Sequence, residues 1–159
     1  MFLMNMMAFF LAELVGISEL CGDPLTKHNM VTMRTNISSG ADWETKVGYS
    51  RAVKVGSQVF VSGTTGIDEN GEVVGNDDIY LQTKQCILNI EKALKEAGAS
   101  LEDVVRTRTF ITDIDQWEAF GKAHREYFGE INPAATLVEV SRLIHPDLMV
   151  EIEVDAAVE

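Results

Sequence analysis

The sequence predicts an α+β fold: one β-sheet with two helices packed on one face, in the order β-β-(β)-α-β-α-β-β. Three observations lead there. Runs of alternating, β-branched residues recur on either side of two longer stretches. Those stretches repeat apolar residues at three- and four-residue steps, the mark of a helix with one buried face. Two helices are too few to cover both faces of so wide a sheet, so they lie together on one. At 159 residues the chain makes one domain, large enough for a core of its own.

The first eighteen residues, MFLMNMMAFFLAELVGIS, stand apart. A secretory signal carries basic residues before its apolar run, and here the first basic residue is Lys27. Asn5 and Glu13 interrupt what would be a spanning helix. Residues 1–32 are therefore expected to be an extension outside the domain, and residues 33–159 the domain itself. Met30 and Met33 offer later starts, so the extension reads as an upstream start codon or as an arm that docks on a partner subunit. A membrane-surface anchor is disfavoured, because basic residues are missing.

GYSRAVKVG reads as a strand entered after Gly48, with Ala52 and Lys54 on one face and Val53 and Val55 on the other. Gly56 to Gln58 turn the chain into VFVSGTTG, giving a hairpin. Asn70-Gly71 signals a further turn, and a short third strand through Val73 and Val74 is expected after it. Asp77 or Asp78 caps the first helix, whose buried stripe is Ile79, Thr83, Cys86, Ile87, Ile90, Ala93, Leu94 and Ala97, ending at Gly98. Val104 to Asp113 form a central strand. Asp115 and Glu118 have capping-box spacing before the second helix, Trp117–Phe128, with Ala119, Phe120, Ala123, Tyr127 and Phe128 inward. Asn132-Pro133 ends it, and ATLVEVS and LMVEIEVDAAV are the last two strands. The sheet face opposite the helices is half apolar, which predicts burial against other copies of the chain.

Composition excludes several functions. A net charge of −12 with no Lys/Arg run opposes nucleic acid. Cys21 and Cys86 are isolated and read as free thiols in a reducing, cytoplasmic setting. His28, His124 and His145 are scattered, so no metal site is expected. No GxSxG elbow, P-loop or dinucleotide fingerprint occurs, and the glycine-bearing GTTGIDENG joins two strands without opening a helix. The acids of the last strand are the candidates for chemistry. Glu151, Glu153 and Asp155 share one face, opposite Val150, Ile152 and Val154. Arg106 and Arg108 share a face of the long strand, and Arg142 follows VEVS. Two readings stand: a ladder of cross-strand ion pairs, or an acid that lines a cleft and carries protons. Tyr49 and Ser62-Gly63 lie near the ends of the hairpin strands, and Gly63 permits close approach to the backbone.

Taken together, GYSRAVKVGSQVFVSGTTGIDENGEVVG, QTKQCILNIEKALKEAGASLEDVVRTRTFITDI and NPAATLVEVSRL with the closing VEIEVDAAVE resemble the RidA/YjgF family, from about Ile37 to the C-terminus. The resemblance implies a chorismate-mutase-like homotrimer, with sheets facing a central barrel and clefts between subunits. It also implies hydrolysis of reactive enamines and imines, such as 2-aminoacrylate, to 2-keto acids and ammonia with no metal or organic cofactor. Tyr49, the Ser62-Gly63 backbone and Glu151 match the family's cleft positions, with Glu151 the catalytic glutamate and the backbone near Thr136 a further polarising group. Two positions depart. Deaminating members read Pro-Ala-Arg-Ser, and this chain has Ala135 where their arginine grips the substrate carboxylate. Arg51 stands where glutamine is common, two residues from Tyr49, and is either a substitute cation, a surface residue or an ion-pair partner of Glu151 or Glu153. The expected function is therefore an enamine/imine deaminase-like hydrolase with weak 2-aminoacrylate activity. The alternatives are a non-catalytic trimer that binds a small metabolite, and a different hydrolysis of a less acidic substrate. The ribonuclease label attached to the family is opposed by the acidic charge.

Overall fold

The computed structural model describes residues 33–159. The extension expected over residues 1–32, with Cys21 and His28, lies outside the described residues.

Among the described residues, six strands and three α-helices make up the fold. In chain order they are β1 (Arg34–Ile37), α1 (Asp42–Val47), β2 (Ala52–Val55), β3 (Gln58–Thr65), α2 (Ile79–Glu96), β4 (Val104–Ile111), α3 (Trp117–Phe128), β5 (Ala134–Glu139) and β6 (Val150–Ala157). They form one sheet in the order β1-β2-β3-β6-β4-β5. Every pairing is antiparallel except β4 with β5. The last strand in sequence thus lies mid-sheet, between the hairpin and the long strand.

The alternation in β6 decides the layers. Val150, Ile152, Val154 and Ala156 are buried, and Glu151, Glu153 and Asp155 face the other way. The buried row meets α2, whose predicted stripe is in place: Ile79, Thr83, Cys86, Ile87, Ile90, Ala93 and Leu94 are all buried. Sealing an isoleucine or leucine in this seam is worth about 1.5–3 kcal/mol. Helix α3 packs beside α2 and buries Phe120, Ala123 and Phe128. Asp78 caps α2, its side chain accepting from the Leu81 N–H at 3.1 Å, and Gly98 at φ +71° follows the last turn. The α+β class and the placing of the two long helices on one face are as predicted. The other face is left open and mixed: Phe60 is 42% and Val138 40% exposed beside charged residues.

Two expectations are corrected, and two elements are added. The third strand through Val73 and Val74 is a single bridge, Ile67 to Val73, because the turn built on Asp68 absorbs the chain: its carboxylate accepts from the Asn70 and Glu72 N–H groups. The Asp115/Glu118 capping box does not form. A 3₁₀ turn, Ile114–Gln116, leads into α3, and Asp113 caps that turn by accepting from the Asp115 N–H at 3.1 Å. Finally, β1 and α1 were not anticipated. Among the described residues no helix is long and apolar enough to cross a membrane.

Candidate functional site

A break in the sheet creates the site. Strand β3 slips register against β6 between Val61 and Thr64, so Ser62 and Gly63 fall outside the paired register. Both are tied instead to the segment before β2. The Ser62 N–H donates to the Arg51 carbonyl at 3.1 Å, Ser62 Oγ to the Ser50 carbonyl at 2.8 Å, and Arg51 Nη2 to the Gly63 carbonyl at 2.6 Å. Tyr49 and Arg51 therefore lie on the loop leaving α1 rather than on a strand. They still meet, with the Arg51 guanidinium carbon 5.9 Å from the Tyr49 ring centre.

Glu151 closes the cluster from β6, where it stands between Thr65 and Phe110. Its carboxylate packs on Gly63 so closely that a Cβ there would overlap Glu151 Oε1. Half-burial, and then the neighbouring charge of Glu153, push the Glu151 carboxyl above its ordinary value, with Arg51 pulling the other way. The other acids of the strand are spoken for. Arg108 Nε donates to Glu153 at 2.8 Å, and Nη1 and Nη2 fork Asp155 at 2.8 and 3.0 Å. The cross-strand ion ladder foreseen for this face exists, but it takes Glu153 and Asp155 and leaves Glu151 out.

Arg51 is a half-buried cation with no carboxylate at ion-pair distance among the described residues. Burial lowers its pKa, and Tyr49, Glu44 and Glu151 favour its charge. One donor serves Gly63, and Nε is sealed without an acceptor. It anchors the bulge from beneath.

Ala135 and Thr136 do not join this cluster within one chain. They lie on the edge strand β5, separated from β6 by β4, with Ala135 beside Thr107 and Thr136 beside Arg108. Ala135 shares the helix-facing side with buried Thr107, whereas Thr136 shares the open side with Arg108.

A groove of about 470 Å³ adjoins the cluster, lined by Arg34, Glu44, Tyr49, Ser50, Val53 and Ser62 among others. Arg34 and Glu44 belong to β1 and α1 and escaped the sequence reading. A signal for α1 was present: Asp42 and Glu44 in the first turn, Lys46 in the last, and Gly48 at φ +83° after it. Glu44 is buried, yet Oε1 accepts from the Ser39 N–H and Oγ at 2.9 and 2.6 Å, and Oε2 from Ser38 Oγ at 2.5 Å. Burial acts to raise its pKa, but those donors and the Arg51 charge outweigh it and hold Glu44 below the usual carboxylate range. Cys86 is sealed in the core with its thiol pushed far up by burial, which makes it packing rather than a nucleophile. Among the described residues no group of His, Cys, Asp or Glu is arranged to hold a metal ion.

Comparison with known proteins places this geometry in context. The family model for endoribonuclease L-PSP matches residues 40–158. A RutC family protein of Pyrococcus abyssi is 47% identical over 106 residues, covering 66% of this chain and 82% of that one. The 3-aminoacrylate deaminase RutC of Acinetobacter baylyi is 38% identical over 104 residues, covering 65% and 82%. A crystal structure from Mycobacterium tuberculosis, a member of the YjgF/YER057c/UK114 family, is 50% identical with a TM-score of 0.72, covering 79% of this chain and all of that one.

Proposed function

The chain belongs to the endoribonuclease L-PSP, or RidA/YjgF, family, and from that premise we propose that it is a hydrolase of small enamines and imines, working in a cleft between subunits. The observation that carries this reading is the state of Glu151: a half-buried carboxyl with raised proton affinity, excluded from the Arg108 ladder and lying on a bare glycine. Protonated, it delivers a proton to the carbon of an enamine and yields the iminium ion. Ionised by that transfer, it takes a proton from water as the water oxygen bonds to the iminium carbon, giving a neutral carbinolamine. It passes that proton to the nitrogen and takes the hydroxyl proton as the carbon–nitrogen bond breaks, releasing ammonia and a carbonyl compound and leaving the carboxyl protonated as it began. Tyr49 and the Ser62-Gly63 backbone hold the substrate, Arg51 fixes the Gly63 peptide, and no metal or organic cofactor takes part. A relative named as a 3-aminoacrylate deaminase supports the class of reaction.

In this reading the edge strand that carries Ala135 and Thr136 enters the same cleft from a second copy, and the working unit is a cytoplasmic homotrimer of the domain spanning residues 33–159, with residues 1–32 outside it. Ala135 brings no guanidinium. A missing charge-assisted pair costs about 1.5–3 kcal/mol of binding, or roughly 10–100-fold, so 2-aminoacrylate is a poor substrate. The same loss favours a second reading, a trimer that binds a metabolite without turning it over. Imines generated in situ from simple amines by an amine oxidase, with ammonia release followed, separate the two. Hydrolysis faster than the spontaneous rate is expected, with Glu151→Gln reducing it about 10²–10⁴-fold. Binding without any acceleration leaves the second reading standing and removes the first.

A further inference from the structure

We infer that Arg51 is a positioning residue for Glu151: through the Gly63 peptide it fixes the place the carboxyl group takes, and its charge supports that group in the ionised form. The inference rests on the proposed part of Glu151 as proton carrier and adds a second residue to it.

Gly63 touches both partners. Its carbonyl accepts from Arg51 Nη2 at 2.6 Å, and the space in which a Cβ would stand is held by Glu151 Oε1. Neutral groups pin the rest of the bulge. The Ser62 N–H donates to the Arg51 carbonyl, Ser62 Oγ to the Ser50 carbonyl, and Thr64 Oγ1 to the Ser62 carbonyl at 2.8 Å. Among these contacts the Gly63 carbonyl alone is held by a charged group. A guanidinium there makes a stronger bond than a neutral donor would. It also brings a positive charge to the glycine on which the carboxylate lies.

That charge is not spent on another partner. The groups whose charge bears on Arg51 are Tyr49, Glu44 and Glu151. Glu44 is already satisfied by the Ser38 and Ser39 hydroxyls and the Ser39 N–H. The neighbours of Glu151 on the flanking strands, Thr65 and Phe110, carry no charge. Glu153, two residues along β6, repels it and is itself held by Arg108. Cys86, sealed on the helix side, is a neutral thiol. Arg51 is thus the cation that favours an ionised Glu151. Its effect falls at one point of the proposed reaction. After the first proton transfer the carboxylate takes a proton from water. Burial and Glu153 oppose that ionised state, and Arg51 supports it.

The test titrates Glu151 in the full chain by NMR, with the glutamate carboxyl carbons labelled and the Glu151 signal identified by its loss in Glu151→Gln. Arg51→Gln keeps an amide donor and removes the charge. Arg51→Lys keeps the charge and removes the planar fork. Arg51→Met is a second neutral variant, in case the glutamine packs badly. Expected is a rise in the Glu151 titration midpoint of about half to one pH unit in the neutral variants, less than a direct ion pair gives, because the Gly63 peptide lies between the two groups. Arg51→Lys should return it toward the parent, and the pH dependence of imine hydrolysis should move in the same direction. A midpoint unmoved in the neutral variants overturns the inference. So does an equal shift in Arg51→Lys and Arg51→Gln, which would reduce Arg51 to its bond with Gly63. Neutral variants that do not fold overturn it as well, since Arg51 would then serve the fold. A shifted Glu151 midpoint in a protein that hydrolyses no imine leaves this inference standing and removes the catalytic reading. Hydrolysis whose pH dependence is indifferent to Arg51→Gln does the reverse.

Discussion

At the scale of single residues, Gly63 and Glu151 form a unit. The Cβ of an alanine at position 63 would overlap the end of the Glu151 side chain, and the Gly63 backbone is not in the left-handed region. The carboxylate is the part free to move, so Gly63→Ala displaces it while the sheet holds. The variant is expected to lose less than about 1 kcal/mol of stability, within the range of mild substitutions, and to lose turnover nearly as far as Glu151→Gln. A large fall in thermal midpoint with turnover intact would mean that Gly63 serves packing alone. The pH dependence of Glu151 gives a second check. Its folded-state pKa is raised above the ordinary 4.5, so folding favours the protonated form. The stability this contributes is present in full below about pH 4.5, the ordinary value, and is lost as pH rises through the raised folded value. Glu151→Gln mimics the protonated form, so its thermal midpoint should equal or exceed that of the parent at pH 7 and show no such gain at pH 4. A midpoint that drops at pH 7 would mark Glu151 as a structural ion-pair member and take it out of the site.

At the scale of elements, helix α2 holds the site in register through polar residues on its buried side. Gln82 is fully buried; its amide donates to the Asp147 carbonyl at 2.8 Å and its oxygen accepts from the Met149 N–H at 2.8 Å, fixing the chain just before β6. Asn89 donates to the Thr65 and Ile67 carbonyls at 3.2 and 2.8 Å, fixing the end of β3. Gln82→Leu fills similar space and removes the partner of the Asp147 carbonyl and the Met149 N–H, and a longer 3.4 Å bond to the Gly75 carbonyl; each such group is worth about 1–3 kcal/mol when buried and unpaired. Urea denaturation should show a loss of that order; a change within experimental error would mean that water replaces the side chain. Gln82 also shows where sequence reading stops. The long elements α2, α3, β4 and β6 were legible because each repeats its pattern often enough to set a period. Strand β1, with four residues, and helix α1, with six, are too short for that, and Arg34 and Glu44 were missed with them. A buried glutamine looks like a surface residue in any periodic pattern. Among the site residues, the alternation showed the acidic face of β6 but not which acid stood free; only the family resemblance pointed to Glu151. That depends on Arg108 lying opposite Glu153 in the β4–β6 register, a tertiary fact.

At the scale of the molecule, one chain leaves two things unfinished. Its open sheet face sets Phe60 and Val138 in solvent beside the satisfied Arg108–Glu153–Asp155 network. Its family-matched cleft residues fall into two groups, with Tyr49, Ser62, Gly63 and Glu151 together and Ala135 and Thr136 two strands from β6 on the edge strand β5. In the proposed assembly, association of copies through the open face would complete both: it would bury the aromatic and aliphatic surface and carry a second copy's edge strand toward the Glu151 cluster. Three copies are expected from the family resemblance. Sedimentation velocity at micromolar concentration should give a single trimeric species. Phe60→Asp places a charge on the exposed apolar part of that face, without touching Gly63, Glu151 or the helix-side core. The variant should therefore sediment as a folded monomer and lose most of its activity, since on the proposed assembly each cleft would then lack the walls supplied by a second copy. A monomeric parent protein removes the shared cleft outright. A Phe60→Asp monomer that keeps full turnover would show that Tyr49, Ser62, Gly63 and Glu151 suffice within one chain, and would leave Ala135 and Thr136 without a part in the reaction.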